Sequence, residues 1–349
     1  MTALSKQVSG VDVAALAAWM DGLGLGVGPL TELELITGGT QNILLRFLRA
    51  DSAYVLRRPP VHKRANSDET MRRETRVLGA LAGSDVPHPA LIAGCGDESV
   101  LGAAFYLMEH VEGFNPTLGL PEPFASDEAM QAEMGVAMAD AIAALGRVDH
   151  EAVGLGDLGR ADGWLERQVP RWRGQLESYG DQQGYDGPDI PGVDDVASWL
   201  DANRPSSWRP GLIHGDFHLA NVLFRFDAPR LAAIVDWELT TIGDPLLDLG
   251  HLLAIWPSPD DPPERPTTLD IRAPGLTSPE AIVARYAAGS DRDLTALPWY
   301  RVLACYRLGI ILEGTNARAA AGRAPQEIGE LLHAMTLGLF EQAVTLISS

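Results

Sequence analysis

Two aspartates and an asparagine carry the chemistry this chain could do. In "GLIHGDFHLANVLFRF", residues 211–226, an apolar run is broken by His214, Gly215, Asp216, Phe217 and His218, and Asn221 follows five residues after Asp216. In "LAAIVDWELTTIGDPLLDLG", residues 231–250, Asp236 closes a segment that reads as a buried strand, 20 residues beyond Asp216. An acid, an amide and a second acid at strand ends can place oxygens around a hard divalent cation. Phosphoryl transfer needs such a set: one carboxylate to orient a hydroxyl nucleophile, and Asn and Asp to hold magnesium against nucleotide phosphates. Asp and Asn in loops are more often turn formers, so the weight rests on the three together and on their flanks.

Those side chains need elements to hold them. "VDVAALAAWMDGL" has helical spacing and ends in glycines. "LTELELITGGTQNILLRFLRADSAYVLRRP" reads as strand, Gly-rich turn, strand, polar turn, strand. "SDETMRRETRVLGALAG" is a helix with Ser67 or Asp68 as its N-cap, and "VPHPALIAGCGDESVLGAAFYLMEHVEGF" supplies two further strands. Three strands, a helix and two strands make an antiparallel-sheet lobe with one helix, not a βαβ series.

After Gly113 the pattern turns helical. "DEAMQAEMGVAMADAIAALGRVD" predicts an amphipathic helix, "WLERQVPRWRGQLESY" one bent or broken at Pro170, and three more lie within residues 278–347. Residues 180–210 and 256–275, rich in Gly, Pro and Asp, predict surface loops. The expected fold class is α+β and bilobal: a small lobe over 1–108, a hinge at 109–113 and a larger helical lobe over 114–349.

Bulk properties narrow the partners. The 349 residues are 46% hydrophobic and 21% charged, which suits one large or two modest globular domains. Apolar runs are interrupted before about 18 residues, so no membrane span is expected. The N-terminus lacks an export-like apolar segment, and a cytoplasmic protein is expected. Cys95 and Cys305 stand far apart in apolar contexts and read as buried thiols. The net charge is −20, with 10 basic and 11 acidic residues over 1–100 but 17 and 36 over 101–349. Such acidity repels nucleic acid and anionic membrane and favours a cationic small molecule, although acidity serving only solubility is commoner. There are two lysines, Lys6 and Lys63, against 25 arginines, so arginine must serve where lysine is customary.

"HGDFHLAN", "IVDWE" and "GDPLLDL" resemble the aminoglycoside phosphotransferase and choline kinase superfamily, a branch of the protein-kinase-like fold, and the lobe order extends the likeness over nearly the whole chain. The resemblance implies Asp216 as catalytic base, Asn221 and Asp236 as magnesium ligands, His214 as brace of the catalytic loop and Asp244 as a structural aspartate. His218 could touch substrate or serve as a satisfied loop histidine. The turn "TGGTQN", with Gly38, Gly39, Thr40, Gln41 and Asn42, occupies the place of the phosphate-covering loop. In "YVLRRP", Arg57 stands where the family has a lysine, with Val55 on the same strand face beneath adenine and Glu74 of "RRETRVL" as its partner. "YLMEHVEG" resembles the hinge, with backbone groups of Glu109 and Val111 facing adenine and Met108 lining the pocket.

The implied activity is transfer of a γ-phosphoryl group from ATP, GTP being left open, with Mg2+, to a hydroxyl of a small molecule. "VLRRPP" and "DWELTTIGDPLLDLG" also resemble the kinase-like domain fused to acyl-CoA dehydrogenases. Candidate acceptors are thus an amino sugar, an amino alcohol or a hydroxyacyl thioester, bound by helices near 164–179 and 298–317. Glu313 is the main carboxylate there, while Trp164, Trp172, Trp299 and Tyr300 could line a less polar pocket or simply fill core. Two other classes stand beside this one: a nucleotide-binding regulator without transfer, and a metal-dependent hydrolase built from His214, Asp216, His218 and Asp236.

Overall fold

The computed structural model describes residues 7–8, 10–36, 42–257, 266, 271 and 273–348. Strands β1 (Thr31–Leu35), β2 (Ile43–Arg49), β3 (Ser52–Arg58), β4 (Leu91–Cys95) and β5 (Phe105–Glu109) form one antiparallel sheet in the order β1-β2-β3-β5-β4. Leu45, Phe47, Leu56 and Leu107 bury one face against Leu16 and Met20 of helix α1 (Val13–Gly22), which Asp12 caps by accepting from the Ala14 and Ala15 amides at 3.0 Å each. Helix α2 (Ser67–Ala80) presents Met71, Val77 and Leu78 to the larger core. A one-turn helix, α3 (Glu98–Leu101), precedes β5.

The start of α2 differs from expectation. Its N-cap is Asn66, without a side-chain cap, because Ser67 and Asp68 are used otherwise. Ser67 Oγ accepts from the Arg64 amide at 3.0 Å, and Asp68 reaches across to the Ala104 amide at 2.8 Å and Lys63 Nζ.

Beyond the sheet lie helices α4 (Glu128–Gly146), α5 (Trp164–Glu177), α6 (Val193–Ala202), α7 (Leu246–Ile255), α8 (Pro279–Gly289), α9 (Leu297–Ala320) and α10 (Gln326–Ser348). Two antiparallel ribbons carry the motif segments: β6 (Gly211–Ile213) with β9 (Thr241–Gly243), and β7 (Val222–Phe224) with β8 (Leu231–Ile234). Three expectations are corrected here. Helix α5 runs through Pro170 without the break that is one of the two expected outcomes; the ring removes one backbone bond, but buried Trp164, Val169, Trp172 and Leu176 hold both halves on the core. The stretch 180–210 contains α6, whose Val196, Ala197 and Leu200 are buried at helical spacing amid a loop-like composition. And α4 is buried on most sides over Met134–Leu145 rather than on one face.

The connector is tied to the motif region. Phe114 and Phe224 exchange backbone hydrogen bonds of 2.8 and 2.9 Å, and Asn115 Nδ2 donates to Ala220 O at 2.6 Å. A Cβ on Gly113 would stand 2.7 Å from Phe224 O, so this approach requires glycine. By length and composition α10 could cross a membrane, yet Leu339, Phe340 and Ala343 are buried within the core and Thr336 Oγ1 donates to Gly309 O of α9 at 3.0 Å. Cys95 and Cys305 are both buried.

Candidate active site

β6 delivers the chain into a turn that only glycine takes easily. Gly215 has φ of 85°, and a Cβ there would lie 2.6 Å from Leu239 O. Asp248, buried on α7, accepts from the His214 amide at 2.6 Å and the Gly215 amide at 2.9 Å. The fully buried His214 donates from Nε2 to Val235 O at 3.0 Å and accepts at Nδ1 from the Asp216 amide at 3.3 Å. Its ring thereby braces the Asp216 loop against the strand that ends at Asp236. Arg307 of α9 donates to Gly215 O and stacks over Trp172, its Cζ 5.4 Å from the ring centroid.

Asp216, 34% exposed at its side chain, is ringed by nitrogen. Asn221 Nδ2 donates to its backbone O at 2.9 Å and to Oδ2 at 3.0 Å. His218 Nε2 lies 3.5 Å from Oδ2, and His251 Nε2 lies 3.5 Å from Oδ1. Burial opposes ionisation, but His218, His251 and Arg307 outweigh it and hold Asp216 well below the usual carboxylate range. The ligand atoms of Asp216, His218 and His251 come within 4.8 Å of one another, a spacing a metal could bridge. However, His218 Nδ1 accepts from the Ala220 amide at 3.2 Å, which puts the proton on Nε2; Asn221 Nδ2, 3.3 Å from Nε2, is then a neighbour and not a donor to it, and no lone pair faces that centre. With both His214 nitrogens also engaged, the four groups of the hydrolase reading do not converge as metal ligands.

Across the cleft, Arg57 is 7% exposed at its side chain and meets three carboxylates. Its Nη2 donates to Asp236 Oδ1 at 2.6 Å and to Glu74 Oε1 at 3.4 Å, and lies 3.8 Å from Glu238 Oε2. Nε stands 2.9 Å from Glu74 Oε2, an ion contact without hydrogen-bond alignment, and that oxygen also accepts from Tyr106 Oη at 2.7 Å. Arg58 turns away to Gly10 O and Pro59 O. Asp236 itself is held at φ 65°, left-handed for a non-glycine residue.

Burial pushes the Glu74 carboxyl up to about 7, against the pull of Arg57 and the Tyr106 hydroxyl. A carboxyl whose folded value is raised binds its proton more tightly when folded, so its contribution to stability falls as pH rises from about 4.5 to about 7. His251, lowered by burial to about 3, slopes the other way, losing stability as pH falls from 6.5. The Glu74 effect therefore shows in a difference: the unfolding free energy of wild type minus that of Glu74→Gln should drop by on the order of 2 kcal/mol between pH 4.5 and 7. A flat difference in denaturant titrations across that range would assign Glu74 an ordinary value.

The remaining expected site residues are placed as follows. Val55 pairs with Met108 across β3 and β5, buried and half-buried respectively. The Glu109 amide is committed to Ala90 O at 2.9 Å, and its exposed side chain accepts from the Ala90 amide at 3.2 Å. Val111 is half-buried in the connector. Asn42 lines a cleft of about 390 Å³ together with Arg64, Asn66, Thr70 and Glu238. Gly38, Gly39, Thr40 and Gln41 lie outside the described residues. Asp244 acts as a cap, accepting from the Leu246 amide at 3.0 Å and Tyr300 Oη at 2.8 Å.

On the expected acceptor side, Glu313 is not open to a ligand. It is fully buried and held by Tyr185 Oη at 2.7 Å, Asn316 Nδ2 at 3.0 Å and His333 Nδ1 at 2.7 Å. Trp164, Trp172, Trp299 and Tyr300 are all buried in the core. Asp248, His251 and Glu238 escape sequence reasoning. The signal for the first two was a charged and a titratable residue three apart in an otherwise apolar helix, "LLDLGHLLA", where such groups are rarely buried without a task.

Residues 32–282 match the model of the phosphotransferase enzyme family. The chain is 29% identical over 333 residues to mouse acyl-CoA dehydrogenase family member 10, covering 92% of this chain and 30% of that protein. It thus spans about a third of that relative's length. A crystal structure from Ralstonia eutropha, provisionally described as an aminoglycoside phosphotransferase, is 31% identical and superposes with a TM-score of 0.78, covering 96% of this chain and 99% of that one. The GDP complex of aminoglycoside 2'-phosphotransferase-IIIa, at 15% identity, shares the fold with a TM-score of 0.60, over 96% and 99% of the two chains. The motif loop, its bracing and the two-lobed fold thus agree with the family match: this chain belongs to the phosphotransferase enzyme family.

Proposed function

We propose that the protein is a magnesium- and ATP-dependent kinase that transfers the γ-phosphoryl group to a hydroxyl of a small, cytoplasmic metabolite. The observation that carries this reading is the convergence of Asp216, Asn221 and Asp236 through the His214 brace, with the Arg57–Glu74 pair joined directly to Asp236. The donor set fits magnesium. Asn221 must turn Nδ2 toward Asp216, whose contacted atoms only accept, so its amide oxygen has no partner among the described residues; Asp236 uses Oδ1 on Arg57, with Oδ2 likewise unengaged among them. Both are hard oxygen donors, and magnesium bound there supplies neutralisation of phosphate charge. Arg57 brings a fixed positive charge to the same rim, and Asp216 accepts the proton of the acceptor hydroxyl as the new P–O bond forms. The relatives' names support a small-molecule acceptor, and the sealed Glu313 speaks against a site built on carboxylates for a polyamine.

The test is a mass-spectrometric screen with magnesium and ATP or GTP against amino sugars, amino alcohols, sugars and hydroxyacyl thioesters. A phosphorylated product dependent on magnesium is expected. Asp236→Ala should weaken nucleotide binding at least tenfold in magnesium and little in EDTA, measured by calorimetry. Tight binding of nucleotide with no product from any acceptor would instead favour the regulator.

A further inference from the structure

His251 is 1% exposed, and neither ring nitrogen has a hydrogen-bond partner of ordinary geometry among the described residues. An unpaired polar group in such a place is destabilising, so a chain needing only volume there would do better with leucine. Its Nε2 lies 3.5 Å from Asp216 Oδ1, and its ring stands 5.8 Å from that of His218. His218, with Nδ1 accepting from Ala220, offers its Nε2–H toward the other oxygen, Oδ2, at 3.5 Å. Asn221 also donates to Oδ2. Among the described residues, His251 is therefore the contact that fixes Oδ1. Among the described residues Nε2 has the Asp216 carboxylate beside it while Nδ1 has no hydrogen-bond partner, which places the single proton of the neutral ring on Nε2.

We propose that His251 is a positioning residue for phosphoryl transfer: its Nε2–H, opposed to those of His218 and Asn221, clamps the Asp216 carboxylate in the orientation that meets the acceptor hydroxyl. This rests on the reading of Asp216 as proton acceptor. In the transfer the hydroxyl oxygen bonds to phosphorus as the bond to the leaving diphosphate breaks, and the hydroxyl proton passes to Asp216; His251 keeps its own proton throughout. Both 3.5 Å separations exceed a formed hydrogen bond, as catalytic contacts often do before substrate binds. The clamp also explains why a destabilising residue stands in an apolar helix beside the catalytic loop.

The test compares His251→Leu and His251→Gln with Asp216→Asn. His251→Leu should lower kcat about a hundredfold, the scale of a small misplacement of a catalytic group, with KM for the nucleotide unchanged and the unfolding midpoint equal or higher. His251→Gln, which restores an N–H donor, should recover about a tenth of wild-type kcat. Nitrogen-15 NMR of the histidine rings should show His251 as the Nε2–H tautomer, a readout independent of turnover. An active His251→Leu, or an Nδ1–H tautomer, overturns the clamp. So does a loss of kcat accompanied by a lower unfolding midpoint and weaker nucleotide binding, which would mark a space-filling role. If Asp216→Asn turns over like wild type, the base assignment fails and the clamp with it; if Asp216→Asn is inactive and His251→Leu is not, only the clamp fails.

Discussion

Asp216→Asn should cost about a thousandfold in kcat while Mg–ATP binds within about threefold of wild type. The substitution keeps volume and removes the one oxygen pair able to take the acceptor proton. It also creates a conflict that predicts its severity. Oδ2 faces donors from Asn221 and His218, and Oδ1 faces His251, so an amide NH2 in either place meets another N–H. The new side chain must rotate or leave a donor unpaired, and the reacting geometry is lost with the base. Nucleotide affinity is spared because Arg57 and Asp236 are joined to each other and not to Asp216, and because Asn221, which loses its partner at Oδ2, still donates to the Asp216 backbone O at 2.9 Å. Steady-state kinetics with calorimetric nucleotide titration checks both halves. Turnover equal to wild type would remove Asp216 from the chemistry, and a parallel loss of binding would make it part of the nucleotide site.

What the sequence makes legible follows a physical pattern. Asp216, Asn221 and Asp236 stand out because each interrupts or ends an apolar run, where a polar residue needs a reason. Arg57 is separable from Arg58 because strand parity sends neighbours to opposite faces, and in the structure one guanidinium goes to Glu74 and the other to Gly10 O. The antiparallel lobe is readable because turn residues punctuate alternating segments.

The rest depends on tertiary partners that leave no local trace. Pro170 looks like a break until the tryptophans on either side of it, Trp164 and Trp172, are known to be buried in one core. Helix α6 hides in a composition dominated by Gly, Pro and Asp, though its three buried residues have helical spacing. Glu313 reads as an open carboxylate for an acceptor because nothing local shows that Tyr185 and His333, from distant segments, close over it. Asp248 and His251 are the sharpest case: they lie within "DPLLDLGHLLA", yet their meaning is set by a loop more than 30 residues earlier.

Asp248 carries the second large effect, on folding rather than chemistry. Its two oxygens accept the His214 and Gly215 amides at 2.6 and 2.9 Å, at 1% exposure. Those amides lie in a turn whose Gly215 conformation denies them regular strand partners, so the carboxylate is what makes this turn tolerable in the core. Burial raises the Asp248 carboxyl, an opposing cost that deletion relieves, with His214 and the two backbone donors pulling it down. Asp248→Ala leaves two buried donors unpaired and opens a small void, for a net loss of about 3 to 5 kcal/mol in denaturant titrations. Asp248→Asn keeps one acceptor and turns an NH2 toward the other amide, so it should fall between the two. Activity should decline in both variants even under conditions where they remain folded, because the Asp216 loop hangs from the same two amides. A loss below about 1 kcal/mol for Asp248→Ala would show that solvent or a shifted backbone satisfies the turn, and that the anchor of the catalytic loop lies with His214 and Arg307 instead.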